Sequence, residues 1–521
     1  MGMPHLSPAL CWAALPLLAL NDPVRIESGS ISGATGGSAE VRVYKGIPYA
    51  KPPVGELRWK PPKPPASWRG VWRATQFSPV CEQVPYPKGS VYDRAFALAG
   101  ILPAGGAPQS MSEDCLYLNV WTAAKTATER RPVMVWIHGG GFEYGSGDPP
   151  MYGGEELAKK GVVFVSINYR LGLFGFFAHP ELTSESDHHS SGNYALLDQI
   201  AALEWVRKNI AAFGGDPKRV TIFGESAGSW SVNFLMATPL AKGLFQRAIG
   251  ESSAYFQSIR TLTEVERAGI KFAESNGGSV AALRARPADD LLRVPSSFRQ
   301  NVDGWVLPAD VYTVFSAGKQ NDVPLIAGWN ADEGRSLSPW PDNSTLATFV
   351  DGARKVFGPQ TGDFLKLYPA ASDREAAESH YASFRDQNFG WQIRTWVRLA
   401  SRVGRSKAYL YYFSRIPPGP DSSRYRAFHG AEIAYVFHNL DVSQRPWEDT
   451  DRKLSDHISS YWVNFAATGD PNAPGLPQWP AYEERSDLAL ELGDKIAPIP
   501  SPNKAGLDFF ESYFRKRRSG N

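Results

Sequence analysis

Residues 219–237 read RVTIFGESAGSWSVNFLMA, and this stretch decides the fold. An apolar strand over residues 219–223 leads into Gly224-Glu225-Ser226-Ala227-Gly228, and a helix is predicted over Ala227–Ala237, with Pro239 just beyond it as a stop signal. A serine on such a sharp turn needs small neighbours, because the strained backbone packs closely against adjacent elements. The pentapeptide alone is a weak signal, so the prediction depends on its place between a strand and a helix.

The segments around this turn alternate between strand and helix patterns. Residues 133–137 and 162–167 are continuous apolar runs, which are typical of buried parallel strands, and similar runs follow at 323–328 and 409–413. Residues 194–210 are predicted to be helical because one face carries apolar residues at helical spacing, namely Leu196, Ile200, Leu203, Val206 and Ile210. This order predicts an α/β fold with a large, mostly parallel twisted sheet and helices on both faces.

Length and composition are compatible with one large domain. We expect residues 21–521 to form a single α/β domain, in which residues 255–320 and 337–408 build a helical cap. The formal net charge of +2 gives no field strong enough to attract nucleic acid or an anionic membrane. The basic run at 515–518 is interpreted as a solvated tail, so no nucleic-acid partner is predicted.

The first twenty residues contain an apolar run, from Pro8 to Leu20, that is too short to cross a bilayer as a helix. It fits a signal peptide, although no Lys or Arg precedes it, and a misassigned gene start is the alternative. Its removal would leave Cys81 and Cys115, which can close one disulfide in an oxidising compartment or remain two free thiols. We therefore predict a leader over residues 1–20 and a secreted or periplasmic protein without a membrane anchor.

A second motif, His138-Gly139-Gly140-Gly141-Phe142, closes the strand at 133–137. Three consecutive glycines cost conformational entropy and need a reason, and an ordinary turn is one explanation. The functional explanation is an oxyanion hole. In that arrangement the backbone N–H groups of Gly140 and Gly141, together with that of Ala227, bind a negatively charged oxygen.

A serine hydroxyl is a poor nucleophile unless a base takes its proton. Of the nine histidines, His429 is the best placed, because it lies in a loop beyond the strand at 409–413. Asp332 and Glu333, just after the strand at 323–328, are two adjacent carboxylates that could orient the imidazole. The chain order serine, acid, histidine is the one expected for such a fold.

With these motifs the chain resembles the type-B carboxylesterases, a family that includes para-nitrobenzyl esterases, animal carboxylesterases and cholinesterases. The resemblance covers nearly the whole length and implies the α/β-hydrolase fold. It lies in YKGIPYA at 44–50, LRW at 57–59, SEDCLYLN at 112–119, WIHGGGF at 136–142 and the almost continuous match over 193–228.

The resemblance also implies roles for individual residues. It selects Glu333 over Asp332 as the acid, and it implies a Cys81–Cys115 disulfide, an Arg58–Glu113 ion pair and Ser252 as a support near the acid. Glu225, beside the nucleophile, is typical of the family, and a local structural role is the alternative for it.

Departures from the family pattern bear on the substrate. The position of the cholinesterase tryptophan that binds a quaternary ammonium is Gly105 here, so a choline-ester specialist is not predicted. Residues 389–398 line the pocket in relatives, which makes Trp391 and Arg394 candidate pocket residues, along with Phe142 and Arg299. An arginine there would suit a bulky or polyacid ester, as in esterases that remove tricarballylate from fumonisin-type toxins. The alternative is that both arginines are surface or cap residues.

The sequence therefore predicts a serine carboxylic-ester hydrolase that acts on a small-molecule ester through an acyl-enzyme intermediate. No metal or cofactor is predicted, because the sequence has no clustered His or Cys ligand spacing. One alternative is a non-catalytic domain like the neuroligin-type adhesion domains, which lose triad members. Another is an amidase or lipase with the same triad. The sequence does not distinguish a monomer from a homodimer.

Overall fold

The computed structural model describes residues 22–101, 110–339 and 344–518, so the predicted leader and Gly105 lie outside the described residues. In chain order the strands are β1 Val24–Ile26, β2 Gly29–Ser32, β3 Ala34–Thr35, β4 Arg42–Pro48, β5 Val71–Arg73, β6 Val80–Cys81, β7 Met111–Ser112, β8 Tyr117–Thr122, β9 Arg131–Ile137, β10 Val163–Ile167, β11 Gly215–Glu225, β12 Arg247–Glu251, β13 Leu325–Asn330, β14 Ala408–Phe413, β15 Leu488–Leu492 and β16 Ile496–Pro500.

The α-helices lie between and after these strands. They are α1 Val91–Leu98, α2 Glu155–Lys159, α3 Gly172–Phe176, α4 Pro180–Glu185, α5 Tyr194–Asn209, α6 Ala227–Ala237, α7 Leu262–Asn276, α8 Val280–Ala285, α9 Ala288–Leu292, α10 Val311–Ser316, α11 Glu333–Leu337, α12 Leu346–Phe357, α13 Thr361–Leu367, α14 Asp373–Arg385, α15 Trp391–Val403, α16 Ser422–Tyr425, α17 Ile433–Val436, α18 Asp449–Thr468 and α19 Lys504–Arg518. A π-helical turn, Asp386–Gly390, joins α14 to α15.

The main sheet has the strand order β16-β15-β14-β13-β12-β11-β9-β10-β8-β4-β3. Neighbouring strands from β15 to β10 run parallel, whereas the pairs at both edges are antiparallel. The predicted parallel sheet is thus confirmed for its centre, and its edges make it a mixed sheet. The parallel centre places the carboxyl ends of β11, β13 and β14 at one edge of the sheet, where ligand sites of open α/β sheets form.

Alternate residues of β9 point to opposite faces of the sheet, as the strand geometry requires. Val133, Val135 and Ile137 belong to one apolar core, which also contains the inner faces of α5 and α6. Met134 and Trp136 belong to a second core, which contains α18. Helices therefore cover both faces of the sheet, as predicted.

Several predicted elements are confirmed within a residue or two. The helix α6 has the predicted bounds, and α5 buries its predicted apolar face completely. The predicted cap regions are rich in helices, from α7 to α10 and from α12 to α15. Their irregular links could not be predicted, because short helices in a cap are set by packing rather than by intrinsic propensity.

The predicted disulfide and ion pair are both present. Cys81 and Cys115 are bonded and close a loop that contains α1. Arg58 binds Glu113 through two hydrogen bonds of 2.7 and 2.5 Å. In the described parts of the chain, no helix combines the length and apolar character needed to cross a membrane.

Candidate active site

Ser226 lies at the turn between β11 and α6, in a left-handed backbone conformation with φ 57° and ψ −119°. Its backbone N–H donates to the carbonyl oxygen of Glu251 on the neighbouring strand, at 2.9 Å. An ideal Cβ added to Gly228 would lie only 2.0 Å from the carbonyl oxygen of Ile137. The turn therefore requires a residue without a side chain at this position, which explains the small neighbours expected around the serine.

The glycine loop passes directly beside this serine. An ideal Cβ on Gly139 would lie 3.2 Å from Cβ of Ser226. Gly140 and Gly141 have φ of 102° and 65°, values that side-chain-bearing residues rarely adopt. Gly140 and Ser226 line the same narrow cavity. The loop can therefore present its backbone N–H groups to an oxygen bound at the serine.

His429 lies in the loop after β14, and its ring is held between two carboxylates. Its Nδ1 is 2.5 Å from Oε2 of Glu333, and its Nε2 is 2.9 Å from Oε1 of Glu225. His429 and Ser226 line the same cavity, but among the described residues no hydrogen bond joins the serine hydroxyl to the imidazole. Catalytic hydrogen bonds often shorten only when substrate binds. Without substrate, the Nε2 atom of His429 contacts the Glu225 carboxylate instead of the serine hydroxyl.

Glu333 is the carboxylate that reaches the histidine, and its side chain is fully buried. It follows β13, and its Oε1 accepts a hydrogen bond of 2.9 Å from the backbone N–H of Asn330. Asp332 instead pairs with Arg335 and Arg426 near the surface. Of the two adjacent acids, Glu333 is therefore the one that contacts the imidazole.

Ser252 supports the acid indirectly, through Glu432. The Ser252 hydroxyl donates to Oε1 of Glu432 at 2.6 Å, and the side-chain amide of Asn330 donates to the other oxygen of Glu432. Sequence reasoning did not assign a role to Asn330 or Glu432. The signal for both was present, since each is a polar residue in an otherwise apolar segment close to a candidate catalytic residue.

Burial and neighbouring charges shift the pKa values of His429 and of the carboxyl groups around it. Burial opposes the protonated form of His429, but the carboxylates of Glu225 and Glu333 outweigh it and raise the histidine pKa well above its usual range. Burial, with Glu225 and Glu333 nearby, raises the pKa of Glu432 to about 8. Burial and the neighbouring Glu432 raise the pKa of Glu251 well above the usual range. At neutral pH Glu432 is therefore mainly protonated, and burial favours the protonated form of Glu251 as well.

Two of the four predicted pocket residues lie elsewhere. The Trp391 ring stacks on Phe514 at 4.0 Å, and its indole N–H donates to Glu511, so Trp391 binds the C-terminal helix α19. Arg394 pairs with Asp487 and Asp508, also at the base of α19. The prediction was drawn from segment position alone, and in the structure both side chains contact the C-terminal part of the chain.

The other two predicted pocket residues are Phe142 and Arg299. Phe142 is fully buried and packs against Phe176 and Trp230, beneath the glycine loop. Arg299 lines a larger cavity outside the serine site, where it pairs with Glu143.

Comparison with known proteins shows that the whole chain has relatives. The model of the carboxylesterase family matches residues 21–509. A fumonisin B1 esterase of Sphingopyxis macrogoltabida is 36% identical, over 94% of this chain and 92% of its own length. A para-nitrobenzyl esterase of Bacillus subtilis (strain 168) is 38% identical, over 91% of this chain and 95% of its own length.

Solved structures agree with these relatives. A para-nitrobenzyl esterase structure superposes with a TM-score of 0.78 at 34% identity, covering 93% of this chain and 99% of its own. A thermophilic para-nitrobenzyl esterase gives the same TM-score over 94% of this chain. These neighbours confirm the α/β-hydrolase fold. On this evidence the chain belongs to the carboxylesterase family and is a carboxylic ester hydrolase.

Proposed function

We propose that the chain hydrolyses carboxylic esters through an acyl-enzyme on Ser226. His429 takes the proton of the serine hydroxyl as the oxygen attacks the ester carbonyl, and it then protonates the leaving alcohol. Water repeats the sequence on the acyl-enzyme and releases the acid. Glu333 remains ionised, fixes the imidazole tautomer and stabilises the imidazolium that forms in each step.

One observation carries this proposal: a buried His429–Glu333 hydrogen bond opens into the same cavity as a serine held in a strained strand-to-helix turn. The fold alone does not determine the reaction, but a nucleophile, a base and an acid arranged in this way serve nucleophilic catalysis. A non-catalytic adhesion domain has no need of it.

The tetrahedral intermediates carry a negative oxygen, and we assign its stabilisation to the N–H groups of Gly140, Gly141 and Ala227. Ala227 is the first residue of α6, so its N–H also lies at the positive end of the helix dipole. Loss of one such donor typically costs about 100- to 1000-fold in rate.

The arrangement of the arginines favours a bulky ester over a polyacid one. Arg394 is already engaged by two aspartates, and Arg299 by Glu143. An anionic acid group would have to displace a bound carboxylate from either one. The size of the substrate is therefore a better basis for substrate preference than a negative charge on its acid group, even though one relative is a fumonisin B1 esterase.

Covalent labelling tests the nucleophile directly. A fluorophosphonate probe should label the wild-type protein, and Ser226→Ala should abolish both labelling and turnover of para-nitrophenyl acetate with little change in melting temperature. Ser423→Ala, at an exposed serine, is the matched control and should retain both activities. Labelling of Ser226→Ala, or residual turnover above about one per cent of wild type, would contradict the assignment, because removing the nucleophile normally costs several orders of magnitude. Amide analogues in the same assay separate an esterase from an amidase.

We further propose that residues 1–20 are a leader removed on export and that residues 21–521 form one domain. The Cys81–Cys115 disulfide supports an oxidising compartment. Mass spectrometry of the protein recovered from periplasm or culture medium should give a mass that lacks the leader. A full-length reduced protein in the cytosol would contradict this proposal.

A further inference from the structure

The cavity at the serine and the larger cavity that contains Arg299 differ greatly in size but share a lining residue. The inner cavity, which contains Ser226 and His429, has a volume of about 20 Å³. The outer cavity, which contains Glu143 and Arg299, has a volume of about 520 Å³. The inner cavity has room for little more than a water molecule, so most of any ester substrate must lie elsewhere while its carbonyl carbon is at the serine.

Tyr92 is the one residue that the two sets of lining residues have in common, so we take its side chain as the partition between the cavities. Its hydroxyl lies against the glycine loop, 2.2 Å from the position that a Cβ on Gly141 would take. The ring is braced on the outer side by Tyr144, whose centroid is 4.8 Å away. Tyr92 belongs to α1, inside the loop closed by the disulfide, so covalent structure restrains the element that carries the partition.

The outer cavity combines apolar and polar walls. Leucines at 171, 173, 291 and 292 supply the apolar part. The Arg299–Glu143 ion pair and the hydroxyl groups of Tyr92 and Tyr144 supply hydrogen-bonding groups. A tyrosine hydroxyl is ordinarily protonated at neutral pH and can donate, and burial raises the pKa of Tyr92 further. Such walls suit a large group that carries hydroxyl or amide functions on an apolar frame, and they are less suited to a plain fatty-acyl chain.

We propose that Tyr92 is the specificity-determining residue that controls passage between the two cavities. On this view the substrates are esters with one bulky amphiphilic part, held in the outer cavity while the ester carbonyl reaches Ser226 past the tyrosine ring. The inference rests on the proposed function, because it takes Ser226 as the reacting atom.

Substrate size provides the test. Tyr92→Ala joins the two cavities, so the ratio of kcat/KM for a bulky hydroxylated aryl ester to kcat/KM for para-nitrophenyl acetate should rise by about tenfold or more, the usual scale of a steric pocket effect. Tyr92→Phe keeps the ring and should leave this ratio within about threefold of wild type, if the ring is the barrier. Tyr86→Ala is the matched control: Tyr86 packs on Phe96 and Tyr144, as Tyr92 does, but is not among the lining residues of either cavity.

The ratio separates a gate from a merely structural residue, since loss of folded enzyme lowers both rates equally. An unchanged ratio in Tyr92→Ala, or the same rise in Tyr86→Ala, would overturn the inference. Fluorophosphonate titration should be run on each variant. If Ser226 is labelled and the ratio does not move, only the role of Tyr92 fails. If wild-type Ser226 is not labelled, the proposed function itself fails.

Discussion

His429 has a carboxylate at each ring nitrogen, Glu333 at Nδ1 and Glu225 at Nε2. The two carboxylates affect His429 differently in its proposed role as a general base. Glu333 orients the ring and stays in place during the proposed reaction. Glu225 occupies the side from which the serine proton must arrive, and it stabilises the protonated ring in the absence of substrate. The resting charge of the imidazole therefore depends on Glu225 as well as on the triad.

The pH dependence of kcat/KM should report this second carboxylate. A general base must be neutral, so activity should rise with pH through the raised pKa of His429. Glu225→Gln removes one of the charges that raise this pKa, so the acidic limb should move to lower pH by about one unit or more. We expect this shift in profiles measured between about pH 5 and 9.

Glu251→Gln is the control for this shift. Glu251 lies opposite Glu225 on the neighbouring strand and is also fully buried, but burial raises its pKa and favours its neutral form. Its amide variant should leave the acidic limb in place. Equal shifts in both variants would show that the effect comes from general disturbance of the cluster and not from the Nε2 contact.

Replacement of the carboxyl group by an amide should have a small effect at Glu432 and a large effect at Glu333. Glu432 is protonated at neutral pH, because its pKa is raised to about 8, and a glutamine can donate to the Ser252 hydroxyl while accepting from Asn330. Glu432→Gln should therefore lower kcat/KM at neutral pH by less than about tenfold. Glu333→Gln should lower kcat by about 10⁴-fold, because the imidazolium loses its ionised partner. Steady-state kinetics of both variants would check this, and similar losses would contradict it.

At the scale of elements, α15 connects the cap to the C-terminal helix. The side chain of Arg394 is almost fully buried, where it binds Asp487, also buried, and the half-exposed Asp508. Trp391 from the same helix stacks on α19. These contacts give a structural role to the segment that the sequence suggested for substrate binding.

Arg394→Met should therefore destabilise the protein without damaging the chemistry. Removing one partner leaves the Asp487 carboxylate buried and uncompensated, which costs about 3–5 kcal/mol in the free energy of unfolding. Urea denaturation should show the loss, while kcat/KM for para-nitrophenyl acetate per folded molecule should change little. Arg354→Met, which breaks an exposed pair with Asp351, is the control and should cost less than about 1 kcal/mol. A large loss of kcat/KM in Arg394→Met would instead favour a place in the pocket.

These elements also show what sequence could predict. The central strands, α5 and α6 were predictable because their apolar periodicity is strong and local. Motifs after predicted strands indicated Ser226, His429 and the pair of acids at 332–333, and the family resemblance selected Glu333 from that pair. The faces of α15 were not predictable, because the partners of Arg394 lie about a hundred residues away in the chain. The Glu225–His429 contact and the partition by Tyr92 depend on side-chain packing that no local pattern records.

For the molecule as a whole, the buried carboxyl cluster should limit stability at alkaline pH. The pKa of Glu432 is about 8 in the folded protein, against an ordinary value of 4.5 for a glutamate. The folded state therefore binds more protons between these pH values, and the free energy of unfolding should fall as pH rises through this window, by at most about 1.4 kcal/mol per unit for this group.

Denaturation midpoints at about pH 6 and pH 8 would measure this effect. Glu432→Gln should lose less stability between the two pH values than wild type does. Glu204→Gln, on the exposed face of α5, is the control and should follow wild type. If Glu432→Gln and wild type lose the same amount, the carboxyl of Glu432 is not protonated in the folded protein.

The strand order has a last consequence, which concerns assembly. Ser226 follows β11 in the middle of the sheet, and the residues that would activate it follow β13 and β14, which join the sheet on one side of it. During refolding the hydroxyl can be in position before its partners, which lie about one hundred and about two hundred residues further along the chain. Activity should thus return only with the final phase of refolding, later than helix content measured by circular dichroism. Partly folded chains would have no esterase activity, and every active molecule would be fully folded.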